Sequence, residues 1–305
     1  MDEYSRQVTY DQIPVTVVGG YLGAGKTTLI NTILHQANNY RLTVLVNDFG
    51  ELPIDAALIR AIDGNVMSLT GGCICCSYGN DLSAALMDIL AEENLPDHLI
   101  IETSGVALPD AVANNLSLFN RVRLHNILVL ADVETVCVQA RDRYVGDTID
   151  RQLRSAYLVL LNKTDLVTAE SLENTQRWLK QKYPQQRQLQ CQYAHIPLHV
   201  ILDIHLPDSI ASPERSQSQP IQTTETATGK SKHDTSVFNA FSVRIAGICD
   251  LAALLEILRD PASGLLRAKG YVASAPHTHA LLQVVGSRAT AIPLADAPPP
   301  DLQGR

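Results

Sequence analysis

The chain has 305 residues, 46% of them hydrophobic and 18% charged, with a formal net charge of −8. That is enough for one large globular domain and a small one. The acidic balance speaks against binding to nucleic acid or to an anionic membrane. Apolar runs such as 127–133 fall short of a bilayer crossing, and residues 1–12 are polar with no signal-peptide core, so a cytoplasmic location is expected. Three of the six cysteines, Cys73, Cys75 and Cys76, stand together. In a reducing compartment such a cluster reads as metal-binding or redox-active before it reads as a disulfide framework.

In chain order, Ile13 to Val18 is a β-branched apolar run ending in Gly19 and Gly20, followed by a glycine-rich turn and a helical pattern over Lys26 to Gln36. Leu42 to Val46 predicts a strand. Leu82, Ala85, Leu86, Ile89 and Leu90 fall on one face of a helix. Leu99 to Ile101, Ile127 to Leu130 and Leu158 to Leu161 predict strands buried on both faces, with helices over Asp147 to Ala156 and Ala169 to Lys182. This alternation predicts an α/β fold, a mostly parallel sheet covered by helices, over residues 1–206. Residues 207–236 are rich in Ser, Thr, Gln and Pro and read as a flexible linker. A small α+β domain follows over 237–297. Its expected elements are a strand over Phe238 to Ile245, a helix through Leu251, Leu254, Leu255 and Leu258, and strands at Tyr271 to Ala273 and Leu281 to Val285. Residues 298–305 read as a disordered tail.

Gly20-Tyr-Leu-Gly23-Ala24-Gly25-Lys26-Thr27 fits the phosphate-loop pattern, between an apolar strand and a helix. Backbone N–H groups of Gly23, Ala24 and Gly25 and the start of the helix at Thr28 would cradle phosphates. Lys26 supplies charge to the β- and γ-phosphates, and the Thr27 hydroxyl is placed for Mg²⁺. Asn162-Lys163-Thr164-Asp165 follows a strand. The Asp165 carboxylate can accept two hydrogens from guanine, Asn162 can bond the base, and the Lys163 stem can cover its face. The alternative is a helix start, with Asp165 or Thr168 as the cap. Glu102 ends the strand Leu99 to Ile101 and can hold Mg²⁺, while Gly105 leaves room for the backbone near a γ-phosphate; a plain turn is the alternative. Asn47-Asp48-Phe49-Gly50-Glu51 sits where a nucleotide-sensitive loop would lie.

Gly71-Gly72-Cys73-Ile74-Cys75-Cys76 brings three sulfurs within four residues. They can converge on one ion, with zinc the default and cobalt or another transition metal also suited. Water, Asp48, Glu51 or a histidine could supply a fourth ligand. A redox switch between neighbouring thiols and buried structural cysteines are the alternatives. Cys137, Cys191 and Cys249 read as core residues. His277 and His279 share a strand face and read as solvated side chains. His195 and His199 straddle Pro197, which breaks helical pairing. His233 lies in the linker.

Taken together, Gly19 to Thr28, Asn47 to Glu51, Gly72 to Cys76, Glu102 to Gly105 and Asn162 to Asp165 resemble, in content and order, the CobW-like P-loop GTPases. Gly264 to Gly270 and Gln283 to Gly286 are similar to that family's smaller C-terminal domain. The resemblance implies a P-loop GTPase domain over 1–206. It implies slow GTP hydrolysis to GDP coupled to binding and release of zinc, cobalt or a related ion. It also implies that Cys73, Cys75 and Cys76 hold that ion, with an acid from the Asp48 to Glu51 loop. The expected partners are GTP and GDP, a client metalloprotein and, as an open option, further copies of the chain. A thiol-based redox-sensing GTP-binding protein and a small-molecule P-loop kinase with structural zinc are the rival readings.

Overall fold

The computed structural model describes residues 12–37, 40–47, 66–69, 78–202, 243, 245, 247–275, 278–294 and 298, with the backbone alone at 47, 66–69 and 78–81. Ten strands are found among them. They are β1 (Ile13–Gly20), β2 (Leu42–Asn47), β3 (Val66–Leu69), β4 (His98–Glu102), β5 (Val122–Asp132), β6 (Leu158–Asn162), β7 (Arg187–Gln190), β8 (Arg267–Ala275), β9 (Thr278–Val285) and β10 (Arg288–Pro293). The α-helices are α1 (Lys26–Gln36), α2 (Tyr78–Ala91), α3 (Pro109–Leu116), α4 (Val136–Gln139), α5 (Gly146–Ser155), α6 (Ala169–Lys182), α7 (Leu198–Ile201) and α8 (Leu251–Arg259).

Strands β1 to β7 form one sheet in the order β3-β2-β4-β1-β5-β6-β7. Every pairing in it is parallel. Parallel strands need covering on both faces, and the sequence supplies it. On one face α1 lays Leu29, Ile30, Ile33 and Leu34 against Val18, Val44, Val46, Leu128 and Leu130. On the other, α2, α3 and α5 bring Leu82, Leu86, Ile89, Val112, Leu116, Ile149 and Leu153 against Val15, Val17, Leu99, Ile101 and Val129. The expected α/β architecture is the observed one. The chain order diverges at β1, with β2 to β4 on one side of it and β5 to β7 on the other. Such a switch point opens a crevice at the carboxyl ends of the strands.

Strands β8, β9 and β10 form a separate antiparallel sheet in the order β10-β9-β8. Helix α8 covers it, packing Leu251, Leu254, Leu255 and Leu258 against a core of Val272, Ala280 and Leu282. Asp250 caps α8 by accepting from the N–H groups of Ala252 and Ala253. The strand expected over Phe238 to Ile245 is not supported where the chain is described, because Val243 and Ile245 lie outside any strand. The expected linker, 207–236, and the tail beyond Pro298 lie outside the described residues, as do His233 and His277. Cys191 is buried as expected, but Cys137 and Cys249 are only half-buried. His199 sits in α7 and His195 ahead of it, separated by the Pro197 cap, so no helical His pair forms. Among the described residues, no helix is long and apolar enough to cross a membrane.

The small sheet is bonded to the large one through backbone carbonyls. Ser287 N–H donates to Tyr157 O at 2.8 Å. Arg288 donates to Leu124 O at 2.8 Å and stacks its guanidinium over the Tyr157 ring. Arg187, buried on β7, donates to Leu258 O at 2.6 Å, and burial lowers its pKa below the usual arginine value. The closest approach is at Gly286, in the β9–β10 turn with φ +53°, where a Cβ would lie 1.9 Å from Tyr157 O. Gly286→Ala should therefore both strain the turn and push the two sheets apart, destabilising the protein by roughly 2–3 kcal/mol in thermal or denaturant unfolding.

Helix α5 is anchored through its own Asp150 to Lys182 and Tyr183 outside it. Burial works against ionisation of this carboxyl. Hydrogen bonds from Arg154, Lys182 and Tyr183 outweigh it and hold the pKa well below the ordinary carboxylate value. A depressed native pKa adds stability above the unfolded-state value and loses it as pH falls through and below that range. Asp150→Asn should lower stability by up to about 1 kcal/mol at neutral pH. The gap to wild type should close in unfolding curves recorded at progressively acid pH.

Candidate functional site

Strand β1 delivers the chain to the switch point, and the loop 21–25 turns it into α1. Gly25 is the N-cap of α1, at φ 105°, with no side chain capping the helix and no acid in its first turn. A left-handed φ favours glycine, and a Cβ here would lie 2.4 Å from Asn162 Nδ2. The first N–H groups of α1 thus keep their positive dipole end without an internal anion, which is an anion site by construction. Lys26 folds back along the loop, and its Nζ donates to Gly20 O at 3.0 Å.

A cavity of about 580 Å³ opens in front of this helix end. Gly23, Gly25, Lys26, Thr27 and Thr28 line one side of it, and Glu102, Ser104, Gly105 and Val106 the other. Gly20 and Ala24 of the same motif are not part of this lining. Gly20 is buried at the end of β1. Ala24 is buried among the aliphatic residues under α1, and its N–H is bonded to Tyr21 O at 3.2 Å. Thr27 Oγ1 lies 3.5 Å from Glu102 Oε1, and Glu102 is only 2% exposed. A hydroxyl and a buried carboxylate facing each other beside a phosphate-shaped loop form a hard, all-oxygen donor set that fits Mg²⁺. Ser104 Oγ is buried with no hydrogen-bond partner among the described residues. It leaves an unspent polar group in the cavity-lining loop.

The second expected motif follows β6. Asn162, 2% exposed, donates from Nδ2 to Ala24 O at 2.9 Å and accepts the Ala194 N–H on Oδ1 at 2.9 Å. Its amide therefore joins the phosphate loop to the loop after β7, and a second N–H and further lone pairs remain for a base. Lys163 is in the left-handed region at φ 64°, and its Nζ is held by Asp132 Oδ2 at 2.6 Å. That contact pins the amine and lays the stem along the strand ends. Asp165 is exposed in a short 3₁₀ turn, Thr164–Leu166, and its carboxylate has no hydrogen bond or ion pair among the described residues. The helix cap falls to Thr168, which accepts from Ser171 N–H. Asp165 is thereby left for another partner.

Three contributors escaped the sequence reading. Asp132, which ends the apolar strand β5, anchors Lys163. The turn 191–194 carries Tyr193 and Ala194 at φ 52° and 54°, and burial pushes the Cys191 thiol behind Asn162 up to about 12. Gln152 on α5 donates to Gly105 O and Ala107 O. A polar residue on the buried stripe of an amphipathic helix, and an acid closing an apolar strand, were the available signals. Cys73, Cys75, Cys76, Asp48 and Glu51 lie outside the described residues. Among those described, no three metal-ligating side chains gather.

The pattern is that of a known family. The family model described as "CobW/HypB/UreG, nucleotide-binding domain" matches residues 14–190. The zinc chaperone CobW of Sinorhizobium sp is 29% identical over 310 residues, which span 91% of this chain and 86% of that protein. The zinc chaperone YjiA of Escherichia coli is 38% identical over 165 residues, half of each chain. The zinc-regulated GTPase metalloprotein activator 1 of Dictyostelium discoideum is 30% identical over 65% of this chain and 50% of its own length. The family match runs from the phosphate loop through Asn162 and Asp165 to the end of β7, and the chain belongs to the CobW/HypB/UreG nucleotide-binding family.

Proposed function

We propose that the chain is a cytoplasmic, GTP-hydrolysing metallochaperone that carries a transition metal, zinc first, on Cys73, Cys75 and Cys76 and passes it to a client protein. GTP lies with its phosphates at the α1 N-terminus against Gly23, Gly25, Lys26 and Thr28, and with guanine at Asp165. Mg²⁺, held by Thr27 and Glu102, neutralises phosphate charge when bound. The protein's own part is positioning. Lys26 stabilises the phosphates, Gly105 approaches the γ end, and Lys163, fixed by Asp132, flanks the base.

The observation that carries the metal half is the sheet register. Asn47 pairs with Leu69, and Val46 pairs with Glu102. The chain leaves β2 toward Asp48, leaves β3 toward Cys73 and leaves β4 toward the γ-phosphate loop, side by side at one edge of the sheet. Cys73 is four chain steps beyond Leu69, a reach of at most about 14 Å in extended chain. Occupancy of the γ-phosphate position can therefore act on the cargo ligands over a short distance. Zinc-named relatives support the choice of metal.

Gating requires metal affinity to differ between the two nucleotide states. Zinc affinity, measured by chelator competition, should differ roughly fivefold or more between GDP and a non-hydrolysable GTP analogue. The difference should vanish in a Cys73→Ser, Cys75→Ser, Cys76→Ser variant. Equal affinities in both states would leave a structural zinc, and no specific binding would favour the redox reading. For the base, Asp165→Asn replaces an acceptor pair with an amide that can donate to the C2 carbonyl of xanthine. GTP affinity should fall roughly 100-fold or more while xanthosine triphosphate gains, in the same equilibrium titration.

A further inference from the structure

Helix α5 buries Ile149 and Leu153 in the core beneath the sheet, yet the residue between them on that buried stripe is Gln152, 1% exposed. An amide has two N–H groups. Gln152 Nε2 gives both to one loop, to Gly105 O at 3.1 Å and to Ala107 O at 2.8 Å. That loop starts at Thr103, whose N–H bonds Val18 O at 2.9 Å, and it presents Ser104, Gly105 and Val106 to the cavity. Neither bond reaches the phosphate loop of Gly20 to Thr27.

The helix behind Gln152 is fixed at three points. Asp150 is paired with Lys182 at 2.8 Å and accepts from the Tyr183 hydroxyl at 2.9 Å, both outside α5. Just past its end, Tyr157 O accepts the Ser287 N–H of the β9–β10 turn. A buried amide on an anchored helix thus sets the carbonyls of the loop following Glu102, and with them the direction of the peptide planes beside the cavity.

Resting on the GTPase reading above, we propose that Gln152 is the positioning residue that shapes the Gly105–Ala107 loop for the γ-phosphate, so that the protein tells GTP from GDP through it. GDP lacks the γ-phosphate and so makes less demand on this loop, which meets the phosphate loop where Gly105 packs against Leu22. Loss of the amide leaves two carbonyls without their donor and frees the loop to turn, which weakens the γ contact and spares the rest.

The test is equilibrium binding of GDP and of a non-hydrolysable GTP analogue to wild type, Gln152→Met, Gln152→Glu and Arg151→Ala, an exposed residue of the same helix. Gln152→Met should bind the analogue roughly tenfold more weakly, with GDP changed less than about threefold, as expected for two lost neutral hydrogen bonds. Arg151→Ala should change neither. Gln152→Glu should show the same selective loss at neutral pH. Its analogue affinity should recover relative to wild type as pH falls, because a protonated carboxyl regains one donor. Parallel loss of GDP and analogue, or no change in either, overturns the proposal, since Gln152 would then serve the fold or nothing. Wild type that binds neither nucleotide would show instead that the GTPase reading itself is wrong, and this inference would go with it.

Discussion

The side-chain amide of Asn162 holds the site together. It is buried, and each end of it satisfies a backbone group in a different loop, the carbonyl of Ala24 and the N–H of Ala194. Without it, both groups would be buried and unpaired, at a cost of roughly 1–3 kcal/mol each. The amide also sets how close α1 can come to β6, which is why position 25 has no room for a Cβ. The phosphate loop and the segment after β6 are thus held at a fixed separation; under the proposed function this sets the distance between phosphates and base before any nucleotide arrives. Pre-formed spacing of this kind lets binding energy go into discrimination rather than into ordering loops.

The same economy of side chain to backbone bonding recurs at the junction with the small sheet. Arg187 and Arg288 donate to carbonyls of Leu258 and Leu124, not to carboxylates. Bonds to a carbonyl depend on geometry and little on ionic strength, so the junction answers to the backbone path on both sides of it. That path includes Tyr157, which lies between α5 and β6 and touches the β9–β10 turn. Tyr157 thereby joins the end of α5 to the β9–β10 turn through the Ser287 N–H bond. Two sites linked this way influence one another reciprocally if both bias the same element.

The parts that were legible in the sequence share a physical cause. Strands β1, β2, β4 and β6 and the second half of β5 are buried on both faces, so between their ends their runs are apolar except for Thr16 and Thr43. Helices α1, α5 and α6 were bounded within a residue or so because their apolar stripes and the following strands agree. Strand β7, Arg187-Gln-Leu-Gln190, lies at the sheet edge and carries a buried arginine, so no apolar alternation marked it. Strand β10 includes Pro293, and α3 is short with two asparagines. In the site, residue types were legible, but the bonds that hold them in place were not. Asn162 was legible as part of a base-reading motif, while its two bonds go to Ala24, 138 residues before it, and to Ala194, 32 residues after it. Gln152 was invisible as a functional residue because its partners, Gly105 and Ala107, are more than 40 residues away in the chain.

The strand order also bears on why a metal carrier would use this sheet. In the order β3-β2-β4-β1, the phosphate loop leaves β1, the Glu102 to Ala107 loop leaves β4, and the two segments that carry the proposed metal ligands follow β2 and β3 in the chain. The sequence scatters these four exits between residues 20 and 102, and the parallel sheet returns all of them to one edge. Parallel strands must run in the same direction, so every loop that follows a strand opens on the same side. Under the proposed function, coupling between nucleotide and metal then needs no long relay through the core. It needs only that the loop after β4 take two positions, one of them steadied by Gln152, and that the chain leaving β2 lie against it. A gate of this size can operate with a modest difference in affinity, which suits a protein that must release its cargo as well as hold it.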